Sequence, residues 1–442
     1  MSESGYSENL TPILEKEKFR QLVSDNLLPL FSGARLKSGT DQAKRNSEVV
    51  AFRGHQCALG VKPRKDADYR VVIERSQPFA DLSSTALTEH EVASAFVSSL
   101  EEIQDGIGTN FEEDLLTTIK RRIVAKAVSS SQDQERSVLR IIDQLAKWST
   151  SLYEGNPISA AYGIEDVRVR RTVHLEELWH EKFSPVMTNG YDTILISNYN
   201  GQLVQYLPLA IPPRLPPYAP LRVAAVASWS IDKPGRTALL LNRLGEILII
   251  KDGQLVFTRR SGNWHFMVYS PVITQMGCPQ NKSVRRAILE SCLDASFART
   301  GACIGVMVGG EESKLAKELA PNKKDHIRKG KSVKARFVHR ISKGKEFQKL
   351  DRRLRQELLA IDGATILDYQ GRILAVGAIL KVTEGSSAGG RHAAAIKLGK
   401  FGLGIKVSED GGIEAYHRPG KVKDPKPTFN LMSSSLWEES DD

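Results

Sequence analysis

Cysteine is scarce in this chain. Only four cysteines occur in 442 residues, at Cys57, Cys278, Cys292 and Cys303, and no two of them form a C-x-x-C pair. Neither a zinc ribbon nor a disulfide framework is therefore indicated, because both depend on characteristic cysteine spacings. All four lie in or near apolar runs, which predicts reduced and mostly buried thiols.

Long apolar runs are also missing. No stretch of the sequence approaches the length of a membrane span, and the first thirty residues mix Glu, Lys and Asp without a sustained apolar segment. We therefore expect a cytoplasmic protein without a membrane partner.

Two enzyme motifs begin in the sequence but are incomplete. His180 and Glu181 resemble the start of a zinc-protease helix, yet Ser184 stands where that helix needs its second histidine. The run "GVMVGGEES" spaces glycines as a phosphate loop does but lacks the following Lys-Ser/Thr. Neither chemistry is predicted.

Charge is abundant and unevenly distributed. The net charge of +10 results from 62 basic and 52 acidic residues. Residues 311–355 contain sixteen Lys/Arg and six Asp/Glu, so this segment alone accounts for the excess. A concentrated basic segment attracts polyanions, which makes nucleoside triphosphates or nucleic acid candidate partners. The alternative is a solvated, flexible insertion, since "PNKKDHIRKGKSVK" is rich in turn formers and poor in apolar residues.

The length and the 41% hydrophobic content predict two or three domains with real cores. Residues 1–160 form a mixed region, with short strands followed by helices in "FEEDLLTTIKRRIVAKAV" and "QERSVLRIIDQLAKW". Residues 161–275 form a β-rich region, in which Asn-Gly and Asp-Gly indicate two hairpins. The related strings "NGQLVQY" and "DGQLVFT" are only two copies and do not predict a repeat array.

Residues 276–420 alternate helices and strands, which is typical of an α/β domain. Its first helix begins at an N-cap Ser283, and a second helix carries Phe347, Leu350, Leu354 and Leu358 on one face. A basic insertion covers 311–346, and 421–442 is a flexible tail. The fold class is thus α/β, with a C-terminal mixed sheet flanked by helices and an α+β N-terminal region before it.

Candidate site residues lie at the joints of this domain. Asp362, Gly363 and Ala364 open a strand, where the carboxylate can hold a divalent metal and the small residues admit a flat ligand. A glycine-containing loop then leads into a helix that starts with Arg391 and His392. A helix N-terminus with these side chains suits phosphate.

These motifs resemble the diadenylate cyclases with a DAC domain. That family has Asp-Gly-Ala at a strand start and Gly-Thr-Arg-His-Arg opening a helix some thirty residues later. Here "DGA" at 362–364 and "GGRHA" at 389–393 correspond to them, with RHA in place of RHR. The resemblance covers residues 280–418, about a third of the chain.

The resemblance implies a DAC-like mixed sheet that binds ATP and condenses two ATP into cyclic di-AMP, as a homodimer or higher homo-oligomer. It implies that Asp362 binds Mg²⁺ or Mn²⁺ and helps to activate the attacking hydroxyl. It further implies that Gly363 and Ala364 line the nucleoside. Triphosphate contacts would come from Gly390, Arg391 and His392, with Ser408 as an additional nucleotide contact.

Two other functions stay open. Gly390 replaces the threonine of the motif and Ala393 its second arginine, which favours a catalytically impaired domain that senses a nucleotide or cyclic dinucleotide in signalling or defence. The basic segment 311–355 favours a nucleic-acid-binding protein whose α/β domain is a scaffold.

Overall fold

Two compact units make up the chain, Met1–Ile142 and Asp143–Asp442. The computed structural model describes residues 16–38, 41–42, 50–60, 69–75, 78–80, 86–170, 172–309, 314–320, 322–327, 330–381, 389–418 and 425–432. Among these residues, no helix combines the length and the apolar character that crossing a membrane requires.

The first unit combines a small antiparallel sheet with helices. Its strands are β1 (Ala34–Leu36), β2 (Asp41–Gln42), β3 (Val50–Arg53), β4 (Gln56–Leu59) and β5 (Tyr69–Arg75). Its helices are α1 (Lys16–Leu22), α2 (Glu89–Ile103), α3 (Glu112–Val128) and α4 (Gln132–Trp148), the last of which continues past the division. The strands follow the order β1-β5-β4-β3, with β2 paired to β5. Both helices predicted from the later part of this region are confirmed as α3 and α4.

The second unit begins with a seven-stranded sheet in the order β10-β9-β8-β11-β12-β13-β14. Its strands are β8 (Ala160–Ile164), β9 (Thr193–Ser197), β10 (Leu203–Pro208), β11 (Thr237–Leu241), β12 (Ile247–Lys251), β13 (Gln254–Arg260) and β14 (Asn263–Phe266), after a small hairpin of β6 (Leu152–Tyr153) and β7 (Asn156–Pro157). The helices here are α5 (Leu175–Trp179), α6 (Ala224–Ile231) and α7 (Tyr269–Gln275). The predicted hairpins are confirmed, since β9 pairs with β10 and β12 with β13.

A six-stranded sheet follows, in the order β17-β16-β15-β18-β19-β20. Its strands are β15 (Ala302–Met307), β16 (Ala364–Asp368), β17 (Ile373–Ala378), β18 (Gly402–Val407), β19 (Ile413–His417) and β20 (Lys426–Leu431). The accompanying helices are α8 (Lys282–Ala298), α9 (Val333–Ser342), α10 (Arg352–Ala360) and α11 (Gly390–Gly399). Shorter π or 3-10 segments occur at Val23–Leu27, Leu28–Leu30, Gln104–Gly106, Ser184–Val186, Leu221–Val223, Leu315–Leu319, Lys323–Asp325 and Phe347–Lys349. One parallel pair, β15 with β16, among antiparallel neighbours makes the sheet mixed, so the predicted α/β class is confirmed.

The division after Ile142 differs from the predicted boundaries after residues 160 and 275. One hydrophobic core explains why the second and third predicted regions form a single unit. Side chains from the seven-stranded sheet, such as Ile196 and Leu248, belong to the same buried cluster as Ile304 and Leu403 of the six-stranded sheet. Burial of one continuous apolar surface is what holds a domain together.

Three local predictions need correction. The N-cap of α8 is Asn281, whose side chain accepts from the Ser283 backbone N–H, so Ser283 lies inside the helix. Phe347 belongs to a separate 3-10 turn, and α10 starts only after the Asp351 cap. The predicted tail contains β20, which pairs with β19 and buries Phe429 in the core.

The basic insertion is partly folded onto the sheet. The Ile327 backbone N–H donates to the Leu374 carbonyl at 2.9 Å, and that of Lys381 to the Leu319 carbonyl at 3.0 Å. Lys334 reaches Asp325 at 2.6 Å and the Val376 carbonyl at 3.2 Å. These bonds satisfy polar groups of β17, the edge strand.

Helix α11 packs closely on β18 through glycine. A Cβ atom on Gly404 would lie 1.9 Å from the carbonyl oxygen of Ala395. We expect Gly404→Ala to lose at least about 2 kcal/mol of unfolding free energy, because the overlap forces the helix and strand apart. Urea unfolding followed by circular dichroism measures the loss.

Gly390→Ala is the matched control, since no heavy atom lies within 4 Å of its Cβ position. Its free energy of unfolding should stay within about 0.5 kcal/mol of the wild-type value. Equal stability of the two variants would contradict the close approach of α11 to β18.

Candidate functional site

The Asp-Gly-Ala motif lies at the start of β16. The Asp362 side chain is exposed, immediately after the turn that follows α10. Gly363 has a φ of +102°, and a Cβ atom there would lie 2.6 Å from the Gly377 carbonyl carbon on β17. Glycine is therefore required for the backbone itself. Ala364 is 1% exposed, so its side chain packs in the core and is not available to a ligand.

The second motif opens α11 as predicted. Gly389 is the N-cap with a φ of +90°, and α11 begins at Gly390. Among the residues that the structure describes, no heavy atom lies within 4 Å of the Cβ position of either glycine. Free N–H groups at a helix start, together with the positive end of the helix dipole, favour an anion.

Arg391 lies over the start of β15. Its Nη1 atom is 2.9 Å from Glu409 Oε1, and a Cβ atom on Gly301 would lie 2.7 Å from the same nitrogen. The Glu409 side chain is 74% exposed, so water screens this ion pair. Exposed pairs contribute only about 0–1 kcal/mol, which a phosphate dianion can outcompete.

His392 points back towards the sheet. Its Nδ1 atom is 3.2 Å from Tyr416 Oη and 3.5 Å from the Glu414 carboxylate. Tyr416 donates to Glu414 at 2.9 Å, and burial followed by the Glu414 charge raises the pKa of the tyrosine well above its usual value. His392 is thus held by β19, and its contact with a triphosphate remains a prediction.

Ser408 follows β18 and stabilises a tight turn. Its backbone N–H donates to the Gly412 carbonyl at 2.9 Å, and its hydroxyl donates to the Asp410 carboxylate. This hydroxyl bond, with a further bond from the Gly412 N–H, lowers the pKa of Asp410 below its ordinary value. The Ser408 hydroxyl is therefore engaged within the turn.

Strand registers bring these residues to one edge of the sheet. Cys303 of β15 pairs in parallel with Ala364, and Ala302 pairs with Val407 at the end of β18. The residues before β15 and β16 and those after β18 therefore lie side by side. These residues lie where the central strands begin or end and not on the edge strands β17 and β20. We call this end of the sheet the candidate edge, defined by Asp362, Gly390, Arg391, His392 and Ser408.

Asp362 could hold a metal ion together with the phosphates of a ligand. Among the described residues, no group of three or more His, Cys, Asp or Glu is arranged to hold a metal ion. Mg²⁺ often binds through one or two carboxylates plus substrate phosphates, and Mn²⁺ accepts the same oxygen ligands. A single exposed carboxylate beside an open helix N-terminus fits that arrangement, with the phosphates supplying the remaining oxygens.

The basic segment is not uniformly available. Arg352 and Arg355 are each 5% exposed and pair with Asp294 and Glu290. The exposed cations among the described residues of this segment are Lys317, Lys323, Lys324, Lys331, Arg336, Arg340, Lys343, Lys345, Lys349 and Arg353. A polyanion could therefore meet only part of the segment.

The sequence motifs did not reveal the residues that hold the site in place. Arg391 is contacted by Glu409 from the turn after β18, and His392 by Glu414 and Tyr416 from β19. All three follow α11 in the chain. Glu409 stands next to Ser408, which is the one local signal that could have indicated it. The others depend on strand pairing.

The Ser408 turn predicts a shifted titration. Because the Ser408 hydroxyl is the largest cause of the low Asp410 pKa, Ser408→Ala should raise that pKa towards its ordinary value. Asp410 stabilises the fold above its unfolded pKa, and this contribution is lost as pH falls through the lowered folded value. In the variant this contribution should therefore be smaller, and its loss on acidification should be complete at a higher pH than in the wild type.

NMR titration of the Asp410 side-chain carboxyl carbon measures the shift. Ser270→Ala, at an exposed position, is the control and should leave the Asp410 titration unchanged. Superimposable titrations for wild type and Ser408→Ala would refute the role of the hydroxyl.

No protein-family model matches the chain, and no curated protein matches it either. Among solved structures, a double cysteine mutant of DacA from Staphylococcus aureus is similar at 16% identity and a TM-score of 0.23, over 33% of this chain and 86% of that one. A hypothetical membrane spanning protein from Bacillus cereus is similar at 13% identity and a TM-score of 0.22, over 40% and 91%. At these TM-scores the likeness supports no inference about function, which has to come from the candidate edge itself.

Proposed function

We propose that the candidate edge binds ATP and that the protein condenses two ATP molecules into cyclic di-AMP. The observation that carries this proposal is the meeting of Asp362, the open start of α11 and Arg391 at one edge of the sheet. A carboxylate, a cation and a helix N-terminus side by side suit a metal-bound triphosphate.

The phosphates bind at the start of α11. The N–H groups near Gly390 and the positive end of the helix dipole attract the anion. The Arg391 guanidinium gives up its ion pair with Glu409 and binds a phosphate oxygen instead. Arg391 is held over the start of β15, so little side-chain entropy is lost on binding.

Asp362 acts at the reacting hydroxyl. In the proposed reaction the 3′-hydroxyl of one ATP attacks the α-phosphorus of the other, a P–O bond forms, and pyrophosphate leaves. Two reciprocal attacks give cyclic di-AMP and two pyrophosphates, and the proton of each 3′-hydroxyl passes to the departing pyrophosphate or to solvent, so atoms and charge balance. Asp362 orients the hydroxyl, and a bound Mg²⁺ or Mn²⁺ supplies neutralisation of the phosphate charge. Two such edges must face each other, which a homodimer provides.

Binding without turnover is the second candidate function. Ala393 leaves the first turn of α11 with one cation fewer than the motif that it resembles, and the Ser408 hydroxyl is bonded to Asp410. Both features weaken contacts to the transferring phosphate and leave the helix N-terminus intact. A nucleotide or cyclic-dinucleotide sensor would retain affinity and form no product.

Nucleic-acid binding is a third candidate and rests on the exposed cations of the basic segment. Replacing Lys323, Lys324, Lys343 and Lys345 by glutamine would reduce DNA or RNA affinity and make its salt dependence shallower if this surface binds phosphates. Unchanged ATP binding in that variant would keep this surface separate from the candidate edge.

The proposed reaction predicts a specific effect of Asp362→Asn. Product formation from ATP with Mn²⁺ or Mg²⁺ should fall at least about a hundredfold, whereas ATP affinity should change less than about threefold, because the carboxylate acts mainly on transition-state charge. Chromatographic detection of cyclic di-AMP and isothermal titration measure the two quantities.

Asp351→Asn is the control, an exposed carboxylate at the start of α10. It should affect neither quantity beyond what a weaker helix cap costs. Undiminished cyclic di-AMP synthesis by Asp362→Asn would refute the proposed mechanism. ATP binding with no product from the wild type would instead support the sensor.

Ala393 predicts a gain of function. An arginine at this position returns a cation to the first turn of α11, where the helix dipole already favours anions. Ala393→Arg should raise ATP affinity about tenfold, the effect of one charge-assisted hydrogen bond of about 1.4 kcal/mol. Isothermal titration measures the change, and Ala393→Gln tests whether charge or size is responsible. Unchanged or lower affinity would mean that the phosphates do not lie at this turn.

A further inference from the structure

The two sheets of the second unit share one strand order. β10-β9-β8-β11-β12-β13 corresponds strand for strand to β17-β16-β15-β18-β19-β20. In each sheet one pair is parallel, β8 with β9 and β15 with β16, and the other pairs are antiparallel. Among the described residues, one α-helix in each connection, α6 or α11, leads from the outer strand back to the centre of the sheet.

The registers agree residue by residue. Gly163 pairs with Ile196 and Ala238, and the corresponding Gly305 pairs with Ile366 and Gly404. The turns Asn242–Glu246 and Ser408–Gly412 have the same length and the same pair of backbone hydrogen bonds. A register shift follows Ile249 in one sheet and Ala415 in the other, which is the same position counted from each turn.

The crossover helices confirm the alignment. A Cβ atom on Gly163 would lie 2.5 Å from Trp229 of α6, and one on Gly305 would lie 2.5 Å from Leu398 of α11. Trp229 and Leu398 are therefore equivalent. Counting back seven residues from each makes Arg222, in the 3-10 turn before α6, equivalent to Arg391 at the start of α11.

The same spacing makes Leu221 equivalent to Gly390 at the helix start. The strand registers in turn make Asp192 equivalent to Asp362 and Asn242 equivalent to Ser408. We call the elements from β8 to β13 the first copy and those from α8 to β20 the second copy. The first copy thus has a counterpart for each of these residues of the candidate edge.

We propose that the second unit is an internal duplication, and that the anion position of its first copy is permanently filled by the protein's own Asp294 carboxylate. Asp294 Oδ1 accepts from the Leu221 backbone N–H at 2.7 Å, at the position equivalent to Gly390. Helix α8, which carries Asp294, belongs to the second copy.

The Asp294 carboxylate accepts the kinds of hydrogen bond that a bound anion accepts, from a backbone N–H and from an arginine. Arg352 donates to both carboxylate oxygens, at 2.7 and 2.8 Å, and the Asp294 side chain is fully buried. The same guanidinium donates to the Pro216 and Ala219 carbonyls, in the segment before α6. The helix start of the first copy is therefore already bonded to a carboxylate, whereas no described heavy atom lies within 4 Å of the Cβ position of Gly390 in the second copy.

The equivalent turns of the two copies adjoin. Arg260, at the end of β13, donates to the Gly411 carbonyl at 2.8 Å. Arg299 pairs with Glu246 at 2.5 Å and donates to the Glu409 carbonyl at 3.4 Å. Contacts from the first copy thus fix the turn that carries Ser408. Each chain is therefore expected to have one anion site, at the candidate edge. The nature of the ligand at that site rests on the proposed function, but the filled position does not.

Anion rescue tests the filled position without any nucleotide. Asp294→Ala removes the carboxylate, which leaves the Leu221 N–H without that acceptor and the buried Arg352 without its counter-charge, so the melting temperature should fall by about 10 °C. Sodium formate at about 100 mM should restore at least a third of that fall, because formate fits the vacated space. Chloride at the same ionic strength should not.

Asp294→Asn is the matched control. The amide removes the charge but occupies the space, so its melting temperature should fall and formate should not restore it. If Asp294→Ala is insoluble, the yield of soluble protein on refolding in formate against chloride replaces the melting temperature. Absence of a formate effect on Asp294→Ala, or wild-type stability of Asp294→Asn, would overturn the inference.

Nucleotide stoichiometry separates this inference from the proposed function. Equilibrium dialysis with ATP should give one site per chain, lost in Arg391→Ala and kept in Arg222→Ala. Two sites per chain, or a loss in Arg222→Ala, would overturn the inference. An absence of ATP binding would overturn the proposed function, and the rescue experiment would then decide the filled position alone.

Discussion

The fully buried ion pair between Asp294 and Arg352 is the contact on which the second unit depends. It joins α8, α10 and the proline-rich segment before α6 through hydrogen bonds of 2.6 to 3.1 Å. Two desolvated charges are tolerated inside a protein only when nearly every lone pair and N–H is used, as it is here. The pair therefore determines how the α6 start can approach the six-stranded sheet. Apolar packing alone would leave the position of the α6 start against the six-stranded sheet poorly defined, because the hydrophobic effect is not directional.

A second buried pair fixes the candidate edge. Arg260 and Glu246 approach to 2.6 Å, and burial lowers the pKa of Arg260 to about 10, although Glu246 opposes that shift. Arg260 also donates to Ser296 and to the Gly411 carbonyl, so the turn after β18 has little freedom. Glu409 on this turn holds Arg391 by an exposed and weak ion pair. The edge thus combines a rigid backbone with an exchangeable cation, which suits a phosphate ligand.

The candidate edge and its counterpart in the first copy differ in what occupies the helix start. No described heavy atom lies within 4 Å of the Cβ position of Gly390, whereas at the equivalent Leu221 the backbone N–H donates to a carboxylate from the neighbouring copy. If two open edges are needed for the condensation of two ATP, they must come from two chains. A single chain with one open edge suffices for sensing. The oligomeric state therefore bears directly on the choice between the two functions.

Local signals in the sequence determined much of this protein. Periodicity predicted α3 and α4, Asn-Gly and Asp-Gly predicted two hairpins, and glycine next to Arg391 and His392 predicted the start of α11, because each depends on residues close together in the chain. Only the tertiary structure decided that Ala364 is buried, that residues 426–431 form β20, and that Asp294 fills the first copy. Those outcomes depend on strand order and register between distant segments. Similar sheets can be built from sequences with few identical residues, so the duplication leaves almost no trace in the sequence.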